Sequence, residues 1–306
     1  MTQAELMIVV YALIGGAIRV STPFLFVALG ECLTEKSGRI NLGLEGSLIL
    51  GAMVGYATSF QSGSPWVGVL AAGIAGTCMG AAHGWICKLP KVNDIAVGLA
   101  FMSLGTGLAF FFGKPYIQPS APRLESLPLG GWSQNPQVQQ ALQVNPLFFV
   151  GIALAIAMWW MLANTRAGLT VRMVGDSAAS ARAMGVSVDL VRLLATAAGG
   201  FMAGVGGAFL SLSYPGSWSE GLSSGQGLMA VALVIFSRWN PLRCVLAALL
   251  FGAAGALGPA LQSIGISYGY HFFNAAPYIL TLGIMIASSR SKSAAAEAPR
   301  ELSIVK

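Results

Sequence analysis

Few residues in this sequence can do chemistry, and their types narrow what that chemistry is. Seventeen Lys and Arg, eleven Asp and Glu and two His stand among 306 residues. There is no G-x-x-x-x-G-K-[ST] phosphate loop, no H-E-x-x-H pair and no Ser, His and Asp constellation. Nucleotide hydrolysis, zinc chemistry and acyl transfer therefore lack their parts. Cys32, Cys78, Cys87 and Cys244 are scattered, with no CxxC and no His at ligand spacing, and read as small packing residues. Glu45 and Asp94 suit helix starts, where the macrodipole favours an anion. His83 reads as a hydrogen-bonded packing residue. Arg19 falls inside the first apolar run, Glu220 in a loop and His271 near a helix end. The expectation is a conduit without catalytic residues, metal or cofactor of its own, driven by another subunit.

Two short stretches stand out. "GDSAASARAMG", Gly175–Gly185, reads as a self-contained helix: Asp176 or Ser177 caps it, alanines fill it and Gly185 suits a left-handed stop. About eight helical residues are too few to be stable alone in water, so the helix must dock on something. It either packs on its own bundle or bilayer, or seats in a groove of a separate protein. In the second case Ala178, Ala179, Ala181 and Met184, with Arg182 beside them, form the contact face. The other stretch is "NLGLEG", Asn41–Gly46. It can enter a solute pathway as irregular backbone, with Asn41 and Glu45 near a gate, or Gly43 and Gly46 can simply permit a tight turn.

The surrounding chain is 55% hydrophobic and 9% charged. A soluble domain carries about 25% charged residues, so these cannot clothe one. Apolar runs over about 7–29, 44–61, 66–87, 93–112, 146–163, 191–213, 226–237, 243–262 and 274–289 approach the ~20 residues that cross a bilayer as a helix. The expected fold is an all-α polytopic transmembrane bundle of about nine spans, with eight or ten as alternatives. The seventh run is short, and Gly221, Gly225 and Gly227 point to an irregular start, tolerated at membrane depth only where protein or a cavity surrounds it. With the loops at 30–40, 88–92, 164–190 and 238–242 and the tail on one side, that side holds fourteen Lys and Arg against two opposite, Arg19 aside. The positive-inside rule makes it cytoplasmic, as is the C-terminus, and a nucleic-acid role is not expected. Gly200, Gly204 and Gly207 suit close helix packing. The expected division is a transmembrane domain over 1–290, containing the cytoplasmic loop 164–190, and a disordered cytoplasmic tail over 291–306.

Three stretches, in order, resemble a known family. "ALGECLTEKSGRINLGLEGSLILGA", Ala28–Ala52, is similar to the signature of permeases of ABC importers in the ribose and branched-chain amino acid superfamily, nucleoside and simple-sugar branch. Gly30, Glu31, Glu35, Ser37, Gly38, Asn41, Gly43, Glu45 and Gly46 carry the match. "GDSAASARAMGVSVDLVR" resembles the family's cytoplasmic loop through Gly175, Asp176, Ala181, Arg182 and Gly185. "GQGLMAVALVIFSRWNP" matches through Gly225, Gly227, Ala230, Arg238 and Pro241. The resemblance implies a vitamin-B12-importer-like helical fold in a bacterial plasma membrane. It also implies partners: cytoplasmic ATPase subunits that hold ATP and Mg, an extracytoplasmic solute-binding protein, and a second permease, commonly a different chain. Nucleosides are the expected cargo, simple sugars the alternative. A stand-alone carrier or channel is the rival outside this class.

Overall fold

The first apolar run does not end in a cytoplasmic loop near residue 30. In the computed structural model, which describes residues 3–264, 273, 275–289 and 298–304, helix α1 runs unbroken over Gln3–Lys36. His271 and much of the expected tail lie outside the described residues. Nothing between Pro23 and Ser37 stops the helix, and its last two turns, including Gly30, Glu31, Cys32, Glu35 and Thr34, are buried. The signature stretch is thus helix interior followed by a fold-back, rather than a loop. Gly38 makes the reversal, at φ +82. A left-handed residue there costs glycine little.

The chain then climbs back beside α1. The backbone N–H of Asn41 donates to the Glu31 carboxylate at 2.8 Å, and α2 begins only at Leu44 (Leu44–Ser62). Its start sits well inside the bundle. A Cβ on Gly46 would run into the backbone of Phe101 and Met102, half-way along α4 (Asp94–Gly113). Gly43 is right-handed, at φ −72, so Gly43 and Gly46 serve close approach to α4 rather than a left-handed turn.

Helix α3 (Pro65–Ile86) starts on a proline, whose missing N–H is no loss in a first turn. Helices α5 (Pro136–Ala141) and α6 (Pro146–Asn164) follow the long polar loop, and two short helices, α7 (Arg166–Asp176) and α8 (Ala178–Ala183), fill the interruption. Then come α9 (Val188–Leu212), α10 (Gln226–Phe236), α11 (Pro241–Gln262) and α12 (Ala276–Ser289). Among the described residues the regular structure is helical apart from a small hairpin pairing Leu127 with Val144 and Pro128 with Gln143. Among the described residues, six helices are long and apolar enough to cross a membrane: Val9–Lys36 of α1, α3, α4 with its following turn to Tyr116, α6, α9 and α11. All nine expected runs coincide with helices, but α10 is 11 residues long, and α2 starts part-way in.

Helix α9 is the axis, packed on α1, α2 and α3. Its glycines explain how. A Cβ on Gly200 would collide with the Gly76 carbonyl, one on Gly204 with the Ala72 carbonyl and one on Gly207 with the Leu48 carbonyl. Between lipid-soluble helices no hydrophobic force drives association, so backbone proximity supplies the dispersion contacts. The far side of α1 packs on α11, where Phe24 and Phe251 meet edge to face with ring centroids 6.2 Å apart. The 114–145 segment caps the bundle: Tyr56 donates to the Pro119 carbonyl at 2.8 Å and accepts from the Ala121 N–H, and Asn145 donates to Ser213 at 3.0 Å. Replacing Gly204 with Val is expected to cost about 1–3 kcal/mol by overpacking. A lowered thermal midpoint in detergent checks this; Gly107→Val, in open space, should leave the midpoint unchanged.

Candidate functional site

Glu45 occupies the first turn of α2, as its residue type suggested, but its carboxylate does more than complement that helix. Ser223 donates its hydroxyl to one oxygen at 2.5 Å and Gly225 its N–H to the same oxygen at 3.2 Å. Gly227 donates its N–H to the other at 2.6 Å. These donors form the entrance and first turn of α10, so one carboxylate lies between two helix N-termini. Glu45 is 5% exposed. A buried anion there would be costly if unpaired; with helix dipoles and three donors on it the arrangement is favourable. The irregular stretch before α10 meets the expectation from its glycines, since Gly221 and Gly225 are left-handed at φ +79 and +80.

The other end of α10 is also hung on a glutamate. After Ser237 the chain turns through left-handed Arg238 and Trp239, and Asn240 caps α11 by accepting from Leu242 N–H at 3.0 Å. The Trp239 indole N–H donates to the Glu35 carboxylate inside the bundle. Glu31 and Glu35 lie one turn apart on α1, 0% and 3% exposed. The bundle is therefore not nearly bare of ionisable groups. Its buried carboxylates sit on the stretch that sequence reading placed in a loop. The signal was present: Glu31 and Glu35 have i, i+4 spacing, and no proline stands between Pro23 and Glu35.

Asn41 accepts from Gly43 N–H at 3.0 Å while its amide nitrogen, buried, has no partner among the described residues; one Glu31 oxygen is likewise unsatisfied. Arg39 pairs with Asp94 at 3.2 Å, with both side chains largely buried. His83 approaches the Asp94 carbonyl at 3.4 Å and meets the Phe101 ring edge to face, a packing role. The structure joins Asn41 to Glu31, Glu45 to Ser223 and Glu35 to Trp239, pairs that the spacing alone did not show.

The interruption folds as two helices rather than one. Asp176 ends α7, and Ser177 is the cap of α8, accepting from Ser180 N–H at 3.2 Å. Gly185 makes the left-handed stop at φ +79. Ala178 and Ala181 are buried, packed with Val174 and Val188, so they cannot belong to the exposed face assigned to them. That face is Ala179, Ser180, Arg182, Ala183 and Met184, the last 74% exposed; Arg182 stands 3.8 Å from Asp189 in an exposed pair worth little. Gly175 presses on α1, where a Cβ would strike the Lys36 carbonyl. Part of the tail expected to be disordered is folded here. Glu301 accepts from Ala178 N–H at 2.9 Å and pairs with Arg192 at 3.0 Å, while Arg192 donates to the Ser37 carbonyl at 3.1 Å. These contacts gather α7, α8, α9 and the end of α1 at the basic end of the bundle.

Residues 13–289 match the family model described as the branched-chain amino acid transport system permease component. The chain belongs to that family. It is an ABC transporter permease subunit, a multi-pass membrane protein and not an enzyme, and such a permease works with ATPase and solute-binding partners. A Haloferax volcanii chain provisionally named a glucose ABC transporter permease is 34% identical over 83% of this chain and 79% of its own length. A nucleoside ABC transporter permease of Lactococcus lactis is 28% identical over 87% and 88%. A guanosine ABC transporter permease of Bacillus subtilis is 27% identical over 86% and 87%.

Each donor left buried without its acceptor costs about 1–3 kcal/mol. Glu45→Leu, which strands three, is therefore expected to unfold the α10 region or abolish accumulation of the chain in membranes. Glu45→Gln keeps one acceptor oxygen and should retain a folded chain with a lower thermal midpoint. Size-exclusion profiles after a heating series separate the two.

Proposed function

We propose that this chain is the permease half of an importer for small uncharged polar solutes, nucleosides first, in a bacterial plasma membrane with its basic end cytoplasmic. Family membership carries the reading. The site supports an uncharged cargo: the carboxylates of Glu45, Glu35 and Glu31 are engaged by Ser223, Gly225, Gly227, Trp239 and the Asn41 N–H, Arg39 is paired with Asp94, and the buried amide nitrogen of Asn41 is left suited to a hydroxyl. Simple sugars are the second reading, favoured by the Haloferax relative's name.

In this mechanism a solute-binding protein delivers cargo to the end capped by the 114–145 segment. An ATPase seats α8 in a groove through Ala179, Ala183 and Met184, while Ala178, Ala181 and Gly175 hold the helix to its own bundle. A second, different permease chain completes the pathway. ATP-driven closure then rocks the helices around the polar centre. Discontinuous helices meeting half-way across a bundle are a recurrent way to build such a centre.

Two measurements test this. In proteoliposomes holding the chain, its partner permease and the ATPase, with the binding protein added, labelled guanosine should enter with ATP and labelled glucose should not. Glucose uptake alone would reverse the cargo assignment, and uptake by the chain without an ATPase would overturn the importer reading. Met184→Glu, on the exposed face, should lower ATPase co-purification by about tenfold, the scale of a lost interface anchor. Insertion should stay normal. Ala181→Glu, by contrast, should damage the folding of the chain.

A further inference from the structure

Helix α10 is a half-length element held at both ends by one sequence stretch. Its N-terminal donors rest on Glu45, and the Trp239 indole just past its C-terminus rests on Glu35. The two supports differ in what lies behind them. Glu45 starts α2, deep in the bundle. Glu35 is one residue from Lys36, whose carbonyl is covered by Gly175 of α7. The next residue, Ser37, accepts from Arg192, and Arg192 reaches α8 through Glu301, which holds the Ala178 N–H. A displacement of α7 and α8 therefore meets the last turn of α1, and the side chain that hangs α10 leaves from that turn.

We propose that Glu35 and Trp239 are positioning residues for transport: their hydrogen bond converts movement of the docking helices into movement of α10 against Glu45, opening or closing the polar centre. This rests on the importer reading given above. The arrangement accounts for two features otherwise without a use. Trp239 is a tryptophan, 7% exposed, whose N–H is spent on a carboxylate of another helix. It follows Arg238 in a left-handed turn, a conformation side chains rarely adopt, and that turn delivers the indole to α1. An ordinary packing position would need neither.

Spatial intermediacy alone does not establish coupling, so the test is a cycle of variants. The whole complex in proteoliposomes, with its binding protein, is assayed for ATP-dependent uptake of labelled guanosine or glucose, whichever the wild type accumulates, per ATP hydrolysed. Trp239→Phe keeps an aromatic ring and removes the donor; it should lower uptake per ATP about tenfold, the scale of one hydrogen bond to a charged group, while ATPase co-purification is unchanged. Glu35→Gln keeps a carbonyl acceptor without the charge and should fall less than Trp239→Phe, by about threefold. Glu35→Leu should fall as Trp239→Phe does, and the double variant Glu35→Leu with Trp239→Phe should be no worse than either single one. If Trp239→Phe lowers the amount of chain in the membrane, Ser223→Ala asks the same of the other support and should also lower uptake per ATP. Wild-type coupling in Trp239→Phe or Ser223→Ala, or additive losses in the double variant, overturns the proposal. A wild-type complex with no ATP-dependent uptake of either solute overturns the importer reading instead.

Discussion

A carboxylate buried between two helix beginnings is the interaction on which the centre of this protein depends. An N-terminus of a helix presents N–H groups with no partner in their own helix. Placed in an apolar bundle, far from water, they need an acceptor within reach. Here the N–H groups of Gly225 and Gly227, at the start of α10, find that acceptor in Glu45, which stands in the first turn of α2. That acceptor lets α10 begin part-way along the bundle, and it lets the stretch leading to α10 run as irregular backbone among protein atoms. A bundle of unbroken helices would have no such polar midpoint.

The remaining structure supports that midpoint. Glycines on α9 bring α2 and α3 within backbone contact, which fixes the position of Glu45 relative to α4 and α10. The Arg39–Asp94 pair ties the returning segment of the signature stretch to the first turn of α4. At the basic end, Glu301, Arg192 and Ser37 bind α8, α9 and α1 together. The signature stretch is thus a continuous piece of machinery: the buried end of α1, a glycine reversal, an irregular return segment and the start of α2.

Much of the outline was legible from residue types. Each of the nine apolar runs coincides with a helix, though only six of those helices are long and apolar enough, among the described residues, to cross a membrane; the glycines before α10 marked an irregular entry, and Gly185 marked the stop of α8. What failed did so for identifiable reasons. The rule that charge is costly in a bilayer keeps Glu31 and Glu35 out of a span, and it says nothing about a buried partner such as Trp239, some two hundred residues away. Ala178 and Ala181 were assigned to the exposed face because an alanine carries no sign of which side of a short helix it occupies. Glu301 was given to a disordered tail because its neighbourhood has low hydrophobicity, yet it finds an N–H and an arginine to bind.

The sequence by itself determined that the chain is a helical membrane protein, which of its ends carries the basic residues, and where its polar interruption falls. Those properties follow from local composition, because a helix in a bilayer satisfies its own backbone and needs only length and apolarity. Only the tertiary structure decided that α10, 11 residues long, meets the start of α2 at Glu45, and that Trp239 belongs to Glu35. Those contacts join residues far apart in the chain, and the burial that makes a carboxylate tolerable is a property of the assembled bundle, not of any segment within it.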